Sequence, residues 1–82
     1  MKFVIYSKQG CPYCEKIKTV LTSLSETKQY SISVHDLGTD FTREQFYSKF
    51  GEGSTFPQVI LDDKHIGGCV DTVNYLMENN MF

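Results

Sequence analysis

The 82 residues are 40% hydrophobic and 13% aromatic, enough for one domain with a packed core and too apolar for a disordered chain. Eight basic residues against ten acidic leave a net charge of −2, which excludes the basic face of a nucleic-acid protein. No apolar run nears the ~20 residues of a transmembrane helix, and Phe3-Val4-Ile5-Tyr6 is too short for a signal-peptide core.

Lys2 to Ser7 reads as a strand without a polar residue inside it, as expected of a central strand covered on both faces. Ser7-Lys8-Gln9-Gly10 is a polar turn. The first helix is expected to start at Cys11 or Pro12, because proline suits the first helical position. Its apolar face is Ile17, Val20, Leu21 and Leu24, and it ends in Ser25-Glu26-Thr27-Lys28. Lys16, Lys18 and Lys28 form its solvated side. Tyr30, Ile32 and Val34 then alternate with Ser31, Ser33 and His35, the pattern of a half-buried edge strand.

After Leu37-Gly38-Thr39-Asp40, a second helix begins, with Thr42 or Asp40 as its N-cap. It turns Phe46, Tyr47 and Phe50 inward and stops at Gly51. Val59-Ile60-Leu61 is a second fully apolar strand, and Asp62-Asp63-Lys64 turns it into a short antiparallel partner, His65-Ile66. A last helix runs from about Val70, with Val73, Leu76 and Met77 facing inward. The order is βαβαββα. A strand–helix–strand start implies a right-handed parallel crossover. The expected architecture is therefore α/β: a mixed four-stranded sheet, the two apolar strands central, flanked by helices.

Cys11-Pro12-Tyr13-Cys14 stands where the first strand feeds the first helix. Cysteines three apart on one helical turn place their sulfurs close enough to bridge. Cys11 faces the unpaired N–H groups and positive dipole of the helix start, and Lys8 upstream adds a cation. Such surroundings lower a cysteine pKa to roughly 3.5–7.5. Cys14, one turn inside, is less exposed. The expectation is asymmetric: Cys11 attacks, Cys14 resolves. The same spacing is half of a zinc site, for which Cys69, His35 and His65 are the remaining candidates. None of them lies in a second CxxC or HxxxH arrangement. Three cysteines without a signal peptide fit a reducing compartment, and the chain is expected to begin near Met1 and to work in the cytoplasm.

Two further segments are candidates. In Thr55-Phe56-Pro57, proline can simply open a strand, or a cis bond can leave the backbone at Phe56 free for a peptide-like ligand. In Gly67-Gly68-Cys69-Val70-Asp71, two glycines allow a ligand to approach the start of the last helix, which can hold a carboxylate. Asp71 either meets an amine there or caps the helix.

Together the three segments resemble the glutaredoxin family, the dithiol class of the thioredoxin-like fold. Cys11-Pro12-Tyr13-Cys14 is that class's active-site motif. Thr55-Phe56-Pro57-Gln58-Val59 is similar to its Thr-Val-Pro segment, and His65-Ile66-Gly67-Gly68 to its glycine pair, in order and along essentially the whole chain. The resemblance implies a cis Phe56–Pro57 bond beside the cysteines. It also implies a glutathione groove formed by Lys8, Tyr13, Thr55, Phe56, Pro57, Gly68, Cys69, Val70 and Asp71. In that picture the Phe56 backbone pairs with the glutathione cysteine unit. The start of the last helix takes the γ-glutamyl carboxylate, Asp71 meets the amine, and Lys8 with Arg43 holds the glycine carboxylate.

Phe56 and Val70 depart from the family pattern, which often has valine and a polar residue at those positions. Cys69 is read either as an additional oxidisable thiol or as a small buried side chain; His35 and His65 are read as structural.

The implied activity is a glutathione-dependent thiol–disulfide oxidoreductase that holds no bound cofactor and no metal and uses glutathione as co-substrate, at potentials of roughly −200 to −230 mV. Its implied partners are glutathione and disulfide-containing or glutathionylated proteins, ribonucleotide reductase among them, with the protein acting as a monomer away from nucleic acid and membrane. Two rivals differ in class. One is an iron–sulfur module sharing a cluster through Cys11, which Pro12 argues against by stiffening the motif. The other is a thioredoxin-like reductant with its own reductase, whose usual Gly-Pro pair between the cysteines is absent here.

Overall fold

In the computed structural model, which describes residues 1–82, the expected elements form in the expected order. They are β1 (Lys2–Ser7), α1 (Pro12–Lys28), β2 (Ser31–Asp36), α2 (Arg43–Phe50), β3 (Gln58–Leu61), β4 (Lys64–Gly67) and α3 (Cys69–Glu78). The sheet order is β2-β1-β3-β4. β1 runs parallel to β2, from Lys2↔Ser31 to Ser7↔Asp36, and antiparallel to β3, from Phe3↔Leu61 to Tyr6↔Gln58. The two apolar strands are central, because only there are both edges paired. Asp62 and Asp63 turn β3 into β4 with φ of 47° and 71°, the left-handed pair that matches strand twist in a two-residue hairpin.

The register sorts side chains between two faces. Phe3 and Ile5 of β1 and Val59 and Leu61 of β3 meet Ile17, Leu21 and Leu24 of α1, with Leu76 of α3 closing the core. Each fully buried aliphatic side chain here contributes ~1.5–3 kcal/mol. On the opposite face Tyr6 pairs with His35 and Gln58, and there α2 packs through aromatic rings. Tyr6 meets Phe41 at 5.1 Å and Phe50 at 5.0 Å, and Phe46 stacks on Phe56 at 4.1 Å and 11°. α2 is closed at its start by Thr42, which accepts from the Gln45 N–H at 3.1 Å while Gln45 accepts from the Thr42 N–H. Asp40 accepts instead from the backbone of Asp36.

Three expectations are corrected. Val4 and Tyr6 are only half-buried, because α2 covers one end of that face of β1. Val34 is 39% exposed at the edge strand. Met77 is 60% exposed, and the inward place in α3 is taken by Thr72, which is 0% exposed. A hydroxyl can be buried there because it donates to the Gly68 carbonyl at 2.7 Å, within its own helix.

Candidate active site

Cys11 is the N-cap of α1, with extended backbone (φ −114°, ψ 101°), and Pro12 follows at the first helical position. The Cys11 sulfur accepts the Cys14 backbone N–H at 3.2 Å, the contact a serine or aspartate oxygen makes at other helix starts. Cys11 and Cys14 are joined as a disulfide with Cα atoms 5.2 Å apart. Their environments differ as expected: Cys14 is 0% and Cys11 7% exposed. A thiolate at Cys11 meets the same N–H and the positive end of a 17-residue helix.

Opposite stands Thr55-Phe56-Pro57, with the Phe56–Pro57 bond cis. The Cys11 sulfur lies 3.8 Å from the Phe56 carbonyl oxygen. The Phe56 ring stacks on Phe46, and the Lys8 ammonium lies 5.3 Å from its centroid. Lys8 is thus placed over the aromatic wall of the site.

The third segment completes the wall. A Cβ on Gly68 would stand 3.5 Å from the Pro57 carbonyl oxygen. The glycine that geometry requires is Gly67: its φ is 130°, and a Cβ there would meet Asp71 Oδ2 at 2.6 Å. Asp71 Oδ2 accepts from the Gly68 N–H at 3.4 Å, so the carboxylate caps α3 while standing at the rim of the cleft. Tyr13, Thr55-Phe56-Pro57 and Gly68-Cys69-Val70-Asp71 surround one cleft of about 210 Å³. Tyr13 and Val70, 58% and 63% exposed, form its open edges. The Cys69 thiol is buried in its floor; burial pushes its pKa up, and Lys16 offsets this in part.

Arg43 is the first residue of α2 and exposed; neither it nor Lys8 lines the cleft itself. His35 stacks on Tyr6 at 5.4 Å. His65 and Cys69 do not gather with the cysteine pair into a metal-ligand cluster. The residues that sequence reasoning missed are Phe41 and Phe46, which build the wall behind Phe56, and Gln58, whose side chain reaches the Thr55 carbonyl at 2.8 Å.

A bridging cysteine pair at a helix start, facing a cis-proline segment on a sheet of order β2-β1-β3-β4, defines a thiol–disulfide oxidoreductase of the thioredoxin-like fold. Within that class, the glutaredoxin family model matches residues 3–66, and the chain belongs to the glutaredoxin family. It is 37% identical to glutaredoxin 1 of Rickettsia prowazekii over 78 residues, 95% of this chain and 80% of that protein. The structure of reduced Escherichia coli glutaredoxin superposes with a TM-score of 0.84 at 31% identity, covering 98% of both chains. A buckwheat glutaredoxin–glutathione complex shares the fold, with a TM-score of 0.76 at 23% identity over 96% of this chain and 71% of that one.

Proposed function

We propose that this glutaredoxin is a thioltransferase that uses glutathione as co-substrate to reduce glutathionylated proteins and protein disulfides. The observation that carries the reading is the cleft: it lies beside the Cys11 sulfur and is walled by two separate segments, 55–57 and 68–71, in the first of which the Phe56 N–H has no acceptor within the protein. An unpaired backbone N–H suits a peptide-like ligand, whose own C=O groups need partners. In this assignment the Phe56 backbone pairs with the glutathione cysteine unit, and Tyr13 and Val70 flank it. The N–H groups at the start of α3 take the γ-glutamyl carboxylate, Asp71 meets the amine, and Lys8 takes the glycine carboxylate. Arg43, exposed at the start of α2, is the second cation assigned to that carboxylate. The buckwheat relative, bound to glutathione, is consistent with the assignment.

The chemistry is two exchanges at one sulfur. The Cys11 thiolate attacks the glutathione sulfur of a mixed disulfide, forming a Cys11–glutathione disulfide and releasing the protein thiolate. A second glutathione thiolate then attacks that glutathione sulfur, giving glutathione disulfide and free Cys11. With a protein disulfide, Cys11 forms a mixed disulfide with one substrate sulfur. The Cys14 thiolate then attacks the Cys11 sulfur, releasing a dithiol substrate and leaving the Cys11–Cys14 disulfide for two glutathiones to reduce. The mixed-disulfide route needs only Cys11; the dithiol route needs both.

The cleft is complete within one chain, which supports a monomer and a single working domain. We further assign the protein to the cytoplasm, where glutathione is abundant, with disulfide-bearing enzymes of the ribonucleotide reductase type as clients. No helix is long and apolar enough to cross a membrane. The test is recycling of the wild-type disulfide by glutathione with glutathione reductase, against thioredoxin reductase. Turnover with the first and not the second is expected, and the reverse would replace this reading with a thioredoxin-like one.

A further inference from the structure

A glutamine is an unusual residue to bury at the start of a central strand, yet Gln58 is 8% exposed. Its Nε2 donates to the Thr55 carbonyl oxygen at 2.8 Å, and its Oε1 lies 2.7 Å from Nε2 of His65 on β4. With the amide nitrogen committed to Thr55, the amide oxygen must accept, so the proton of this contact sits on the histidine Nε2. His65 is itself held, its ring 4.9 Å from Phe50 and its backbone in register with Ile60.

The carbonyl at the end of this chain of contacts belongs to the same peptide unit as the Phe56 N–H. Because that unit is planar, the direction of the Thr55 C=O sets the direction of the Phe56 N–H. That N–H has no acceptor within the protein. A lone glutamine can turn its amide over, which would set oxygen against the Thr55 oxygen; the His65 donor removes that freedom.

The geometry points to Gln58 and His65 as a positioning pair that aims the free Phe56 N–H at the glutathione unit of the substrate. The inference rests on the glutathione reading of the cleft. Neither residue touches the reacting sulfurs; both act through the 55–57 segment.

Three variants separate the donor from the packing. His65→Phe keeps a ring on Phe50 and removes the donor, His65→Gln restores a donor, and Gln58→Leu removes the link. In glutathione-coupled reduction of a glutathionylated peptide, H65F and Q58L should raise KM about fivefold to tenfold, the loss of one net hydrogen bond, with kcat within about twofold. H65Q should return KM to within about twofold of wild type, and the double variant Q58L/H65F should be no worse than Q58L. Alkylation of Cys11 by iodoacetamide should be unchanged in all of them. A KM that stays at the wild-type value in H65F and Q58L overturns the inference, as does H65Q behaving like H65F. If the wild type fails to turn over the peptide, the glutathione reading falls instead. The Phe56 amide resonance then decides on the pair: it should move in H65F and Q58L and hold in H65Q, and no movement overturns it.

Discussion

The backbone N–H of Cys14 donates to the sulfur of Cys11 at 3.2 Å, so in the reduced pair one cysteine supplies the donor that faces the other's thiolate. The relationship is one-way. Cys11 has the helix start in front of it and faces the cleft, whereas Cys14 is fully buried behind it.

That inequality sets the reactivity of the reduced protein. Iodoacetamide should modify Cys11 first and leave Cys14 largely unmodified while the fold holds. Peptide mapping after a short pulse checks it; equal labelling of both would remove the asymmetry.

Cys69 should behave in the opposite way. Burial raises its pKa, more than Lys16 lowers it, so in a Cys11→Ser/Cys14→Ser variant the remaining thiol should react slowly at neutral pH and gain rate only above the usual thiol range. The linkage has a defined sign. The folded-state value lies above the unfolded one, so the contribution to stability is complete below the unfolded pKa and is lost as pH rises towards the folded pKa. In that variant background, Cys69→Ala should flatten the alkaline fall of the melting temperature. Free-thiol reactivity of Cys69 at pH 7 would contradict this.

The two glycines before α3 should differ in kind. Gly67→Ala forces a left-handed backbone on alanine and drives its Cβ towards Asp71 Oδ2, 2.6 Å away; a loss of about 1–3 kcal/mol in urea unfolding is expected. Gly68 has φ −84° and ψ −163°, which alanine adopts freely, so Gly68→Ala should hold stability or gain up to ~1 kcal/mol. Its methyl group would enter the cleft and raise KM for a glutathionylated substrate. Equal stability loss in both variants would show that the distinction is wrong.

Much of this arrangement is legible in the residues themselves. Proline after Cys11 marks the helix start, Thr42 or Asp40 marks the next, and two uninterrupted apolar runs mark the central strands. What is not legible depends on long-range register. Gln58 reaches Thr55 and His65 only because β3 and β4 pair as they do, and nothing local distinguishes this glutamine from a surface one. Phe41 reads as a loop residue until Tyr6, Phe46 and Phe56 close around it. Met77 departs from its expected place for a related reason: apolarity ranks methionine inward, but Thr72, whose hydroxyl is satisfied by its own helix, fills the buried position.

The most direct test compares Cys11→Ser and Cys14→Ser with the wild type in glutathione-coupled assays on a glutathionylated protein and on a protein disulfide. Cys11→Ser should be inactive on both. Cys14→Ser should keep turnover of the glutathionylated substrate within about tenfold of wild type and lose reduction of the protein disulfide. Activity surviving in Cys11→Ser, or loss of both activities in Cys14→Ser, would contradict the assignment of Cys11 as the attacking thiol and Cys14 as the resolving one.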